Sequence, residues 1–314
     1  MEFGVSLPSR GATTTTDNLR LLAQHAETVG LDSIWVSDHI IVPQQIESFY
    51  PYDPNGAFPA APEQDYYEPL TTLTYLAACT TRVQLGTSVL ILPYRNALLT
   101  AKIVSTLDTL SGGRVILGVG VGWMEEEFEA LGLDTFRQRG AVSDEYIRVF
   151  RTLWTDDAPS FQGEHVRFDN IGFAPRPVRR PHPPIWIGGH TGPAIRRAAR
   201  LGDGWHPIGL RPPANLTPDE MKTAVARLRD EAGRAGRNPQ DVTISFRGPI
   251  VFADDTGANR RPLTGSPAAI QDDIARYADC GVSHMVFDIM TSDIAEIQRV
   301  MDRFARDVRP GVSV

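Results

Sequence analysis

Short apolar runs alternate with amphipathic segments along the whole chain. Eight runs have the length and composition of buried strands, and they cover residues 2–8, 32–38, 83–91, 114–121, 184–189, 204–209, 242–252 and 283–289. Each run is followed by apolar residues at helical spacing, as in Leu19, Leu22, Ala23, Ala26 and Val29 before Gly30. Such alternation is typical of a parallel sheet with right-handed crossovers.

The number of strand–helix units distinguishes two parallel-sheet architectures. Eight units predict a closed (β/α)8 barrel. An open, doubly wound sheet is the alternative, because a strand is easily miscounted. The strands are almost continuously apolar, which fits a sheet buried on both faces. A chain of 314 residues has the length of one barrel, so we expect residues 1–314 to form a single domain.

Three segments interrupt the regular alternation. Residues 41–67 are rich in Pro, Tyr and Phe, residues 133–182 contain an additional helix (142–154) and a hairpin (160–173), and residues 253–266 form a polar loop. Long insertions after barrel strands lie at the C-terminal face of a barrel, where barrel active sites are built. The aromatic side chains of 41–67 are therefore expected either to line a substrate pocket or to form a dimer surface.

Composition narrows the possible partners and compartments. The formal net charge of −7 argues against nucleic acid as a partner. We expect no membrane segment, because no apolar run reaches about 18 residues, and no signal peptide, because the N-terminus lacks a basic segment followed by an apolar run. The two cysteines, Cys79 and Cys280, form no CxxC pair, which favours a reducing, cytoplasmic location.

Polar residues that follow the second strand are candidates for chemistry. Asp38 and His39 come directly after the apolar run 34–36, at the end of the strand that faces the predicted site. A neutral imidazole can take or give a proton near pH 7, and the carboxylate can orient a ligand. The alternative is a polar pair that only caps neighbouring N–H groups.

Two glycine-rich turns are candidates for ligand contact. Gly118, Gly120 and Gly122 follow the fourth strand and permit close approach of a backbone or a flat ligand, or serve only strand–helix packing. The run 188–192, GGHTG, precedes a helix that begins near Pro193, and free N–H groups at a helix start favour an anion such as phosphate. A plain glycine turn capped by Thr191 is the alternative there.

The sequence lacks the motifs of several other classes of enzyme and of metal sites. No HxxxH or HxH pair with a carboxylate cluster predicts a metal site, and no GxSxG or GxxxxGK[ST] motif predicts a serine hydrolase or a P-loop enzyme. The only lysines, Lys102 and Lys222, fall within helical patterns, which disfavours a barrel aldolase. The glutamates at 125, 126, 127 and 129 are expected to form a solvated helix face.

Five stretches together resemble the bacterial-luciferase-like superfamily, in its branch that uses the deazaflavin coenzyme F420. They are WVSDH (35–39), LGTSVLILPYRNALLTAKIVSTLDTLSGGR (85–114), LGVGVGWMEEEFEALG (117–132), PIWIGGHTGPAIRRAARLGDGW (184–205) and GSPAAIQDDIARYADCGVSHMVF (265–287). The resemblance implies a (β/α)8 barrel, a homodimer, and a deazaflavin ring in the barrel mouth.

The resemblance also implies residue roles. His39 matches a proton donor or acceptor, Asp38 matches a residue that hydrogen-bonds the ring, and Ser88-Val89 matches a non-proline cis peptide behind the ring. The remaining implied cofactor contacts are Gly120, Gly188, Gly189 and Thr191. One departure is Met124, where many relatives place an asparagine that bonds the cofactor.

The predicted function is hydride transfer between coenzyme F420 and a small carbonyl, alcohol or activated alkene, with His39 as general acid or base. An FMN-dependent monooxygenase of the same superfamily is one alternative. A barrel that binds a ligand without turnover is an alternative from a different class.

Overall fold

Eight parallel strands form a closed barrel in a computed structural model that describes residues 1–254, 257 and 260–312. The strands are β1 (Glu2–Ser6), β2 (Ser33–Val36), β3 (Gln84–Thr87), β4 (Val115–Gly120), β5 (Ile185–Gly188), β6 (Gly204–His206), β7 (Thr243–Pro249) and β8 (Val282–Asp288). Each strand pairs with its neighbours in chain order, and β8 pairs with β1. The ring of pairings is complete, so the predicted (β/α)8 barrel is confirmed and the open sheet is excluded.

Helices surround the barrel, and local sequence signals mark several of their ends. They are α1 (Thr16–Thr28), α2 (Pro69–Cys79), α3 (Ala97–Ser111), α4 (Glu125–Ala130), α5 (Arg139–Thr155), α6 (Gly192–Leu201), α7 (Pro218–Arg234), α8 (Pro267–Asp279) and α9 (Ile294–Arg303). The Asn96 side chain accepts a hydrogen bond from the first turn of α3, and Gly112 ends that helix at a φ of 71°. No helix of the described residues is long and apolar enough to cross a membrane.

The barrel interior is packed with large side chains. Trp35, Ile116, Trp186 and Val286 form a buried cluster, in which the rings of Trp35 and Trp186 stack with centroids 5.5 Å apart. Gly86 is required beside this cluster, because a Cβ there would lie 2.2 Å from the Trp35 ring. A cavity of about 500 Å³ opens at the N-terminal ends of the strands. The packed interior separates that cavity from the C-terminal mouth.

The three insertions keep to their predicted positions. The additional helix is α5, and the hairpin pairs Phe161–Gln162 with Arg167–Phe168 in antiparallel fashion. Within 253–266, residues 255, 256, 258 and 259 lie outside the described residues, while Val251–Phe252 pairs with Thr264–Gly265. The aromatic segment 41–67 forms irregular loops that lead from β2 to α2.

Candidate active site

His39 lies at the C-terminal mouth of the barrel and is paired with a carboxylate. The chain leaves β2 at Val36, and both Asp38 and His39 are buried there, with 3% and 6% of their surfaces exposed. The Nδ1 atom of His39 lies 2.6 Å from Oε2 of Glu127. The structure therefore joins the end of the second strand to α4, which follows the fourth strand.

The prediction that the glutamates of α4 form a solvated face is wrong for Glu127. Its side chain is completely buried, and its carboxylate also accepts hydrogen bonds from the Tyr94 hydroxyl at 2.9 Å and from the backbone N–H groups of Ile40 and Ile41. Four donors therefore surround the two carboxylate oxygens, two at each oxygen. A sequence signal existed, since Glu127 lies three positions from the apolar Met124 and shares its helix face.

The pairing with Glu127 fixes the roles of the two imidazole nitrogens. The carboxylate already accepts hydrogen bonds from two backbone N–H groups and a hydroxyl, and Nδ1 of His39 donates to it as the fourth donor. Nε2 is then the nitrogen left for a ligand, and it has no hydrogen-bond partner among the described residues. His39 can thus exchange a proton at Nε2 while Nδ1 remains anchored.

Aromatic rings enclose His39 on the side of the insertion. The four rings called the aromatic box are Tyr50, Phe58, Tyr66 and Trp123. All except Tyr50 contact the imidazole, and Tyr50 packs against Phe58 and Trp123. The Phe58 and Tyr66 centroids lie 4.7 Å and 5.4 Å from that of His39. Of the two interpretations of segment 41–67, a pocket wall fits these contacts. Phe49, by contrast, is 59% exposed and does not belong to the wall around His39.

Asp38 is bound to Arg95 in the structure. Arg95 donates to both carboxylate oxygens, at 2.7 Å and 2.8 Å, and the backbone N–H of Ile91 donates to Oδ2 at 2.9 Å. Burial raises the pKa of Asp38, and the hydrogen bonds from Arg95 oppose this shift. One acceptor position remains on Oδ1, where only Arg95 donates.

Val89 occupies a space that two glycines provide. The Ser88-Val89 peptide bond is cis, in agreement with the resemblance. A Cβ on Gly120 would lie 2.5 Å from one Val89 methyl group, and a Cβ on Gly188 would lie 2.6 Å from the other. These glycines therefore admit the Val89 side chain, while Gly118 admits the carbonyl oxygen of Thr87, which a Cβ would approach to 1.9 Å.

Ser88 connects this strand end to a buried polar network. Its hydroxyl lies 2.7 Å from Nε2 of His206, and Nη1 of Arg247 donates to the Ser88 carbonyl at 2.8 Å. Arg247 and Arg211 both bind Asp288, at 2.8 Å and 2.7 Å. Burial alone would raise the pKa of Asp288, but the charges of Arg247 and Arg211 hold it below its usual value.

The start of α6 presents free donors near the mouth. Thr191 is the N-cap residue, but its side chain makes no capping hydrogen bond, contrary to the plain Thr-capped turn. Gly189 has a φ of 90°, which a residue with a side chain adopts with strain. The Nδ1 atom of His190 is buried without a partner among the described residues, and burial lowers the pKa of that imidazole. His190 is thus a further candidate contact that the glycine pattern did not single out.

Sequence comparison places this architecture among known proteins. Residues 1–282 match the family described as luciferase-like monooxygenase. An uncharacterized protein of Mycobacterium tuberculosis is 34% identical over 260 residues, which cover 75% of this chain and 87% of that protein. A phthiodiolone/phenolphthiodiolone dimycocerosates ketoreductase of Mycobacterium kansasii is 34% identical over 236 residues, which cover 73% of this chain and 62% of the ketoreductase.

Solved structures share the fold over the full chain. The monooxygenase RslO1 of Streptomyces bottropensis has a TM-score of 0.77 at 23% identity, and all of both chains is covered. An F420-dependent secondary alcohol dehydrogenase in complex with an F420-acetone adduct has a TM-score of 0.75 at 18% identity, covering 100% of this chain and 99% of the other. The FMN-bound 3,6-diketocamphane monooxygenase of Pseudomonas putida has a TM-score of 0.74 at 16% identity, covering 100% of this chain and 99% of the other.

Proposed function

The chain belongs to the family of luciferase-like monooxygenases, and on that premise we propose that it transfers hydride between coenzyme F420 and a small organic substrate. The substrate class is a carbonyl compound, an alcohol or an activated alkene. The observation that carries the proposal is the buried His39–Glu127 pair, which leaves one imidazole nitrogen available inside the aromatic box. A carboxylate that anchors one imidazole nitrogen and leaves the other for a ligand is suited to proton transfer.

The residues at the mouth fit a planar cofactor with an anionic side chain. Val89, seated between Gly120 and Gly188, would back the ring together with Ser88, and Asp38 would contact it through the remaining acceptor on Oδ1. Gly189, Thr191 and the unpartnered Nδ1 of His190 would lie along the phosphate-bearing side chain, because the start of α6 offers uncapped N–H groups. The bound deazaflavin would supply the carbon that gives or accepts hydride.

The chain's own residues would then manage the proton and the geometry. His39 would donate a proton to the substrate oxygen, or accept one from it, at Nε2. Glu127 acts as a positioning residue, since it holds Nδ1 and stabilises the imidazolium that forms when Nε2 takes up a proton. The aromatic box would exclude water and pack against an apolar part of the substrate.

Two relatives support coenzyme F420 as the cofactor and a carbonyl compound as the substrate. One structural relative is an F420-dependent alcohol dehydrogenase, and one sequence relative is a ketoreductase. A monooxygenase that uses FMN is the second candidate, because another structural relative carries that flavin. The predicted homodimer and cytoplasmic location also remain proposals, and sedimentation of the purified protein tests the first.

A two-stage measurement tests the proposed function. The purified protein is first titrated with oxidised F420 and, separately, with FMN, and binding is followed by cofactor fluorescence. Reduced F420 is then mixed with a panel of enones, ketones and quinones, and its oxidation is followed by absorbance. Binding of F420 with turnover of one class supports the proposal. Micromolar binding of FMN alone favours the monooxygenase, and binding of F420 without turnover across carbonyls, alkenes and, in reverse, alcohols favours a ligand-binding barrel.

A further inference from the structure

Arg10 brings an unpaired positive charge to the aromatic box. It lies shortly after β1, and its guanidinium carbon lies 5.6 Å from the centroid of Phe58. Phe58 is the ring closest to His39, with centroids 4.7 Å apart. Arg10 forms no ion pair and no side-chain hydrogen bond with any described residue. Its charge is therefore available to a ligand that enters the box.

The other arginines of the mouth are already paired with carboxylates. Arg95 pairs with Asp38, while Arg211 and Arg247 share the single carboxylate of Asp288. Burial raises the pKa of Tyr66 to about 12, and the charge of Arg10 opposes this rise. Burial likewise raises the pKa of Tyr50, with Arg211, Arg247 and Arg10 in opposition. The positive charge of Arg10 thus acts on the hydroxyl groups of both tyrosines of the box.

The backbone holds Arg10 in this position. The N–H of Gly11 donates to the carbonyl of Asp65 at 2.9 Å, and the N–H of Tyr67 donates to the carbonyl of Ser9 at 3.2 Å. These bonds join the end of β1 to the last part of the aromatic insertion. The exposed carboxylate of Asp65 nevertheless makes no ion pair with Arg10. The guanidinium is therefore placed by the fold and not by an acidic neighbour.

The position of Arg10 around the barrel separates it from the proposed phosphate site. That site is the start of α6, which follows β5, whereas Arg10 follows β1. In a closed ring of eight strands paired in chain order, β1 and β5 lie on opposite sides. β1 pairs instead with β2, whose end carries His39. An anion at Arg10 would consequently lie on the side of the proton-exchanging imidazole.

We propose that Arg10 binds an anionic group of the carboxylate class on an aromatic or otherwise planar substrate. The rings of the box would hold the apolar body of that substrate, while the guanidinium would bind the carboxylate through charge-assisted hydrogen bonds. The proposal rests on the proposed function only for the identity of the box as the substrate site. Arg10 is then a specificity-determining residue, and its contribution is a preference for acids over neutral analogues.

A matched pair of probes tests this preference. 2-Naphthoate and 2-naphthamide have nearly the same shape and differ in charge, and calorimetry measures their binding to the protein alone and to the protein saturated with F420 or FMN. We expect the acid to bind at least about tenfold more tightly than the amide in one of these forms. Arg10→Met should abolish that ratio while the affinity for the amide stays the same, which also shows that the variant is folded.

Two further variants make the result specific. Arg10→Lys keeps the charge without the planar guanidinium and should retain part of the ratio. Arg20→Met removes an exposed arginine of α1 that pairs with Asp17, and it should leave the ratio unchanged. Equal affinities in all three forms, no binding of either probe, or a preference that survives Arg10→Met would each overturn the proposal. The ratio of affinities is measured without turnover, so it can be observed even if the protein does not transfer hydride. Likewise, hydride transfer can be observed even if Arg10 gives no preference for the acid.

Discussion

The Nδ1 atom of His39 and the Oε2 atom of Glu127 lie 2.6 Å apart, although 88 positions separate the two residues in the chain. The carboxylate fixes the tautomer of the imidazole and leaves Nε2 for the ligand. The same carboxylate holds the Tyr94 hydroxyl and the backbone after His39. One buried carboxylate therefore anchors both the imidazole and the loop that carries it.

His39→Asn is expected to lower turnover by about 100-fold, because an amide can occupy the site but cannot exchange a proton near neutral pH. Steady-state rates with the best substrate of the panel give the turnover, and cofactor titration should show affinity within about twofold of the wild type. His165→Asn, in the hairpin outside the mouth, is the matched control. Equal turnover in the wild type and His39→Asn would remove the imidazole from the mechanism.

Glu127→Gln is expected to lower both kcat and stability. The amide nitrogen of glutamine cannot accept a hydrogen bond, so two of the donors around residue 127 lose their acceptor, at a cost of about 1–3 kcal/mol in the free energy of unfolding. We expect kcat to fall by about tenfold or more, with KM nearly unchanged. Urea unfolding and steady-state kinetics measure the two effects.

The exposed Glu129, on the same helix, provides the control for that substitution. Glu129→Gln should change neither quantity. If Glu127→Gln loses stability but keeps the wild-type kcat, Glu127 has a structural role only.

Gly120→Ala is expected to displace Val89 and to weaken cofactor binding. The new Cβ would lie 2.5 Å from a Val89 methyl group, and such overpacking costs about 1–3 kcal/mol. Adding Val89→Ala removes that methyl group and leaves the nearest atom at 3.6 Å, so the double variant should recover part of the lost stability. Urea unfolding and cofactor titration of both variants test this, and a double variant no more stable than Gly120→Ala would contradict it.

His206 is expected to make the protein less stable as the pH falls. It is completely buried between the hydroxyls of Ser88 and Ser245, and burial holds its pKa well below 6.5 in the folded state. The unfolded chain, with a histidine pKa of about 6.5, binds more protons in the interval below that value. The free energy of unfolding should therefore decrease below pH 6.5, by up to about 1.4 kcal/mol per pH unit from this residue.

His206→Gln removes that proton uptake. Urea unfolding between pH 8 and pH 5 should show a shallower decrease for the variant than for the wild type. Parallel curves would mean that His206 does not contribute to the acid sensitivity.

The local pattern of apolar and polar residues was sufficient to predict the strands and helices. Each of the eight predicted apolar runs overlaps a barrel strand, and the helix and hairpin of 133–182 are present. The prediction was wrong for Glu127, because the neighbouring glutamates at 125, 126 and 129 conceal the one glutamate that faces the core. Gly118 and Gly120 were predicted as sites of close approach, and the atoms that approach them belong to Thr87 and Val89. Gly188 was predicted as part of an anion-binding turn, and it too admits a Val89 methyl group.

The sequence by itself determined the eight strand–helix units, and with them the barrel, because strand and helix periodicity arise from contacts between residues close along the chain. Only the tertiary structure decided which side chains meet at the mouth. His39 with Glu127, Asp38 with Arg95 and Arg10 with Phe58 each join separate segments. Such pairs form when the barrel closes and brings the strand ends to one rim, and no local periodicity records them.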